Sequence, residues 1–313
     1  MKRIFKVPFA DVSFGFVSFL SALLILILII SVFIVLYKES SPAIEEFGVL
    51  KFIFTEDWNP VKEIFGAAAP LYGTIVTTIL ALLFAVPIGI GIAIFLSEIS
   101  PSFLKTPLGV AIEMLAAIPS IIYGMWGLFT LAPIMKNYVE PFIQKTLGQI
   151  PIIGALFQGD IMGVSLFTAS VILGIMIIPF IASVSRDALN LTPNIMKESA
   201  YAVGATKWEV IKDVMIPYSK LGIYGGIVLA LGRALGETMA VAFVIGHNPE
   251  INLSLFQPAT TITVTLANEF TEADTDLYLS SLFYLALILF ILSFVILAVA
   301  KYFLIKAERG FKR

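Results

Sequence analysis

Arg233 and Glu237 stand four positions apart inside an apolar run long enough to cross a membrane, a setting in which charge is rarely idle. That spacing puts two side chains on one helical face, and a lone charge in hydrocarbon costs several kcal/mol. The pair is therefore expected to neutralise itself and to face protein or a water-filled cavity. Gly222-x-x-x-Gly226 and Gly232-x-x-x-Gly236 flank or overlap that face, and small residues at this spacing let another helix approach closely. An arginine fork matches oxyanion geometry, so exchange of Glu237 for a passing oxyanion is sound chemistry, with Arg233 and Glu237 as path or gating residues. A purely structural ion pair would give the same sequence.

Other polar groups are sparse. Glu113 is a second acid within an apolar stretch, and Pro119-Ser120 just beyond it should kink the same helix, so Glu113, Pro119 and Ser120 are candidates for a kink or a path lining. His247 is the single histidine and reads as a polar residue at the end of a span. With zero cysteines, no thiol chemistry or disulfide framework is available, and no metal site or cofactor is implied. The phosphate-cradling Gly-x4-Gly-Lys-Ser/Thr loop needs a Gly-Lys pair, which the chain lacks. Any ATP hydrolysis falls to a partner. No His-Glu-x-x-His or Gly-x-Ser-x-Gly motif is present either, so the chain is not expected to be an enzyme.

The elements that position these groups are membrane helices. Hydrophobic residues make up 59% of 313, charged residues 13%, and mean hydropathy is +0.98, so an all-α integral membrane protein is expected. Six stretches, near 14–37, 71–96, 108–131, 162–184, 221–246 and 279–304, each match the roughly 20 residues that cross about 30 Å of hydrocarbon. Backbone groups in lipid must pair within the segment, and barrel-type alternation is absent. With the N-terminus inside, inside segments carry fourteen lysines and arginines against five outside, which places both termini and the 185–220 loop in the cytoplasm. The first span is too long for a signal-peptide core and has no small-residue cleavage site soon after it, so it is expected to be retained. Residues 1–70 then form a tail, the first span and an outside loop, 71–304 a core of five spans, and 305–313 a basic tail.

The outside loop 38–70 interleaves Phe52, Phe54, Trp58 and Phe65 with acids, as an interfacial, packing segment would. Loop 132–161, with Pro133, Pro141 and Pro151, is expected to dip back against the protein. Loop 247–278 has five acids and no basic residue, so the outer face suits delivery of an anion by a separate binding protein better than unaided capture.

The 192–217 segment of the inside loop has the most local structure. Thr192-Pro193 suits a helix start, Gly204 a left-handed helix end, and Thr206-Lys-Trp-Glu209 a capping box opening a second helix that Pro217 closes. Trp208, Ile211 and Met215 fall at helical spacing, suited to a groove on an ATPase subunit or to this protein's own helix ends. Residue by residue the segment resembles the EAA loop of ABC importer permeases: Glu198, two small residues Ser199 and Ala200, Gly204, then Val214-Met-Ile-Pro217. Ser199 stands where alanine is commoner.

Trp58-Asn-Pro60, Phe65-Gly-Ala67, Tyr72-Gly-Thr74, Ala85-Val-Pro87, Leu96-Ser-Glu98, Ile118-Pro-Ser120 with Tyr123-Gly124, and above all Gly232-Arg-Ala-Leu-Gly-Glu-Thr-Met-Ala240 carry the resemblance further. Over nearly the whole chain they look like the phosphate permeases of the PstC type; Asn59 departs from the commoner Asp. The resemblance implies the type I importer permease (MetI-like) fold with six spans in the cytoplasmic (inner) membrane. It also implies import of phosphate as half of a pathway, beside a second permease of the PstA type. A cytoplasmic ATPase dimer of the PstB type would dock on the loop through Glu198, Ser199, Ala200, Gly204, Thr206, Trp208, Ile211 and Pro217. A phosphate-binding protein of the PstS type would deliver cargo from outside. Membrane lipid is a partner and nucleic acid is not. A permease for molybdate or sulfate, or a membrane sensor without transport, are the alternatives.

Overall fold

The computed structural model describes residues 9–151 and 153–309, and all regular structure among them is helical. Lys2, Arg3, Lys6, Lys312 and Arg313, which bear on orientation, lie outside the described residues, as do the first eight positions and the last four. Five helices are long and apolar enough to cross a membrane, and a bent pair makes a sixth.

The first, α1 (Phe9–Glu39), is apolar all round, and Phe14, Phe16, Phe19 and Ile25 stay exposed within this chain. A helix without a polar face needs lipid or another chain around it. It touches the last long helix, Asp276–Arg309, through Phe33 and Phe290, ring centroids 6.1 Å apart. The 38–70 loop then packs as expected: Phe52, Trp58 and Phe65 are buried in a cluster with Tyr278 and Tyr284, although Phe54 is exposed.

Next comes α2 (Ala68–Ile94), extended by a π turn Phe95–Ile99. Thr74, Thr77 and Thr78 are buried on it because each hydroxyl donates to a carbonyl one turn back. At Gly73 the helix meets the carbonyl oxygen of Thr260, which would lie 1.8 Å from a Cβ. Backbone cannot yield there as a side-chain tip can. Gly73→Ala should therefore destabilise the protein by about 3 kcal/mol or more, read as a lower Tm in detergent; an unchanged Tm would show that the 260 segment is not clamped.

The third span differs from expectation. Instead of one kinked helix over 108–131, α3 (Ser102–Ala116) and α4 (Ser120–Gln149) meet at 90°. Pro119 has no N–H to donate, and the residue before a proline is driven out of helical geometry, so the pair Ile118-Pro119 breaks the helix outright. Consequently α4 runs on through two π turns, Gly127–Leu131 and Met135–Val139, into what read as a loop. Beyond it the 153–157 turn does fold back, with Phe157 against Phe256, ring centroids 5.7 Å apart.

At the centre lies α5 (Leu166–Asn190), the most buried span, packed on α2 and on the helix Lys207–Leu235. The loop helix α6 (Asn194–Ala202) follows, then α7 (Lys207–Leu235), α8 (Met239–Ile245), α9 (Ile262–Glu269) and α10 (Asp276–Arg309). Gly222 and Gly226 do admit a close neighbour: added Cβ atoms would stand 2.4 Å from the Ala188 Cβ and 3.2 Å from the Val184 Cβ. Gly232 and Gly236 meet only ordinary or open space.

Two expectations fail along α7. Pro217 does not close a short helix, because the chain passes through the π turn Val210–Met215 and continues; a missing N–H costs little where the ladder is already shifted. The span expected over 221–246 is also discontinuous, ending at Leu235 and resuming at Met239.

Candidate functional site

The 192–217 segment is built largely as its residues dictate. Gly204 has φ +89° and no neighbour within 4 Å of an added Cβ, so backbone conformation and not crowding selects glycine. Its N–H donates to Tyr201 O at 2.9 Å, and the Ala205 N–H to Ala200 O at 3.1 Å, closing α6. Thr206 and Glu209 form the expected capping box, with Thr206 N–H donating to Glu209 Oε2 at 2.6 Å and Glu209 N–H to Thr206 Oγ1 at 3.4 Å. Thr192 does not cap α6. Its hydroxyl sits 3.2 Å from Ser219 Oγ instead, and Pro193 takes the N-cap place.

Glu198 and Ser199 lie on the exposed surface of α6, where Ser199 Oγ donates to Ile195 O at 2.6 Å. Ala200 is half-buried at the edge of a cluster formed by Ala93, Ile94, Leu189, Val210, Ile211, Met215 and Ile223. Ile211 and Met215 are thus buried against this chain's own helices and offer nothing to a partner, a correction to the groove expectation; the apolar stripe is real, but its cover is internal. Trp208 remains 59% exposed, near in sequence to the exposed Ile195 and Val203.

Glu113 gains a partner that spacing cannot reveal. Arg186 of α5 donates to its Oε1 at 2.8 Å and also pairs with Asp187 at 2.9 Å. The Glu113 side chain is 56% exposed and sits on α3, so it is not an isolated acid in mid-membrane. Pro119 and Ser120 begin α4.

The expected Arg233–Glu237 pair is not made. A four-residue offset aligns side chains only along an unbroken helix, and this one stops at Leu235 with Gly236 as its C-cap. Glu237 turns its carboxylate forward, where Oε1 accepts the Ala240 N–H at 3.2 Å at the start of α8. Its carbonyl accepts from Thr263 Oγ1 at 2.7 Å, beside a narrow crevice lined by Thr74, Thr77, Thr261 and Thr263. Arg233 is half-buried, makes no ion pair among the described residues, and its buried Nε has no hydrogen-bond partner. Its guanidinium lies 4.4 Å from the centre of the Phe180 ring, an attraction of about 0.5–2 kcal/mol. An orphaned buried donor costs about 1–3 kcal/mol. An anion reaching Arg233 would remove that cost.

At the opposite end of the bundle, His247 is more than an interfacial residue. Its Nδ1 is 3.2 Å from Thr260 Oγ1 and its Nε2 is 3.3 Å from Glu269, whose other oxygen accepts from Trp58 and from Tyr278. Glu140, fully buried, accepts from Ser165 Oγ at 2.9 Å and from the Gly163 N–H at 3.3 Å at the start of α5. Sequence reasoning missed Phe180, Thr263 and Glu140. Only the threonine-rich run Thr260–Thr265 carried a signal, since such residues in an apolar setting must find hydrogen-bond partners.

The family model for binding-protein-dependent transport system inner membrane components matches residues 85–307. A phosphate transport system permease protein PstC from Mesorhizobium japonicum is 54% identical over 288 residues, 92% of this chain and 88% of that protein. A protein of the same name from Xylella fastidiosa is 46% identical over 300 residues, 96% of this chain and 92% of that one. The crystal structure of a bacterial alginate ABC transporter, in complex with an alginate pentasaccharide-bound periplasmic protein, matches with TM-score 0.59 at 16% identity, covering 94% of this chain and 96% of that chain. At that identity the likeness speaks for the fold alone, which is the importer-permease fold. The chain therefore belongs to the family of binding-protein-dependent transport system inner membrane components, within its PstC-type permeases.

Proposed function

We propose that this chain is the permease subunit of an ATP-driven phosphate importer and forms half of the translocation pathway. The observation that carries the reading is the Arg233 guanidinium, which pairs with no acid among the described residues and lies two residues before the break in the fifth span. A planar cation with free donors suits a tetrahedral oxyanion. The identities to PstC proteins favour phosphate over sulfate or molybdate.

Its partners are a second permease, two ATPase subunits, and a binding protein on the outer face. The loop helix α6 and the start of α7, with Trp208, Val203 and Ile195 exposed, seat the ATPase on the cytoplasmic side. ATP closes the ATPase dimer, the loops of both permeases are levered together, and the central helices open outward to take phosphate. Hydrolysis resets the inward state. Expressed with these partners in cells lacking their own high-affinity phosphate permease, the chain should restore growth at low phosphate. Failure of the correctly inserted complex to do so would overturn the reading.

A further inference from the structure

A second ion pair lies at the loop end of the bundle. Lys197 of α6 donates to Glu98 Oε1 at 2.5 Å, and both side chains are only 17% exposed. Glu98 sits in the π turn that ends α2. Because α6 buries no residue fully, this pair is its polar tie to the second span, beside the edge packing of Ala200.

The far end of α2 is tied as well. Thr74 Oγ1 accepts the Ile262 N–H at 3.0 Å, and Gly73 lies against the Thr260 carbonyl. One residue beyond Ile262, Thr263 holds the Glu237 carbonyl. With 27 residues α2 is about 40 Å long, and it continues as one helix past Pro87. Two arms therefore leave the same loop. One is α7, which carries Arg233 and stops before the break; the other is α2, which reaches the Glu237 side of it.

We propose that the Lys197–Glu98 ion pair is a strut that transmits displacement of α6 through α2 to the Glu237 side of the break, so that Arg233 and Glu237 move relative to each other when the loop moves. This rests on the transport reading above. Both residues act through α2 and are positioning residues. Loss of the strut leaves α7 moving alone.

The test uses the complete complex in lipid vesicles, with Lys197→Glu, Glu98→Lys and the double swap. One readout is phosphate uptake per ATP hydrolysed by the assembled complex. The other is the ATP-driven distance change between spin labels on Leu229→Cys and Met239→Cys, unique sites in a chain with zero cysteines. Each single reversal should lower uptake per ATP by about tenfold or more and suppress the distance change, and the swap should restore both, because reversing one partner of a mostly buried pair leaves like charges in contact. Single variants that match the wild type, a swap that recovers neither readout, or a loss confined to the amount of assembled complex would each overturn the strut. If the wild type shows the distance change but no phosphate uptake, the cargo assignment fails, and the strut stands or falls on the distance change alone.

Discussion

Replacing Arg233 with glutamine is expected to cut phosphate uptake by about tenfold to a hundredfold while leaving insertion and assembly intact. A charge-assisted hydrogen bond contributes about 1.5–3 kcal/mol, and each 1.4 kcal/mol is a factor of ten. Arg233 forms no intramolecular ion pair among the described residues, so removing it breaks none that holds the fold. What folding loses is its stacking on Phe180, about 0.5–2 kcal/mol. Arg233→Lys should recover only part of the uptake, because an ammonium keeps the charge but not the two-pronged fork. Uptake at the wild-type level by the glutamine variant would remove Arg233 from the path.

Gly204→Val is expected to abolish coupled transport without blocking membrane insertion. A β-branched residue at φ +89° is strained by about 1–2 kcal/mol, and the open space around Gly204 means that no neighbour need be displaced. The strain is relieved by turning α6 away from α7, which separates Val203 from Trp208 on the proposed docking surface. Gly204→Asn is the control, since asparagine tolerates the left-handed region. The valine variant should lose uptake and co-purify less ATPase, with the asparagine variant nearer to wild type. Unchanged co-purification with valine would count against the loop as the coupling element.

Local features of this loop were legible because adjacent residues determine them. A left-handed turn selects glycine, and a Thr-x-x-Glu spacing closes its own capping box, whatever surrounds them. The apolar runs were legible for the same reason, since length and hydropathy alone make Phe9–Glu39 or Asp276–Arg309 a span. Features that depend on distant residues were not. Glu113 finds Arg186 73 positions away, and no spacing rule reaches that far. Ile211 and Met215 displayed a helical stripe, but periodicity does not say whether a partner or the chain itself covers it. Hydropathy also carried the fifth span smoothly through Gly236-Glu237-Thr238, although a C-capping glycine followed by two groups able to bond backbone is a recipe for a stop. Across that stop a four-residue spacing no longer aligns side chains, so Arg233 and Glu237 match a helical pair in sequence and are apart in the structure. At Pro119 the sequence indicates a kink and the structure makes a break, because position 119 has no N–H to donate and Ile118 is driven out of helical geometry.

Phosphate uptake into vesicles holding both permeases, with the binding protein outside and ATP inside, tests the central claim most directly when run with and without the ATPase subunits. Uptake should require the ATPase, ATP and the binding protein together, and excess sulfate or molybdate should leave it largely unaffected. Phosphate entry at the same rate without the ATPase, or ATP-driven entry of sulfate or molybdate with none of phosphate, would contradict it.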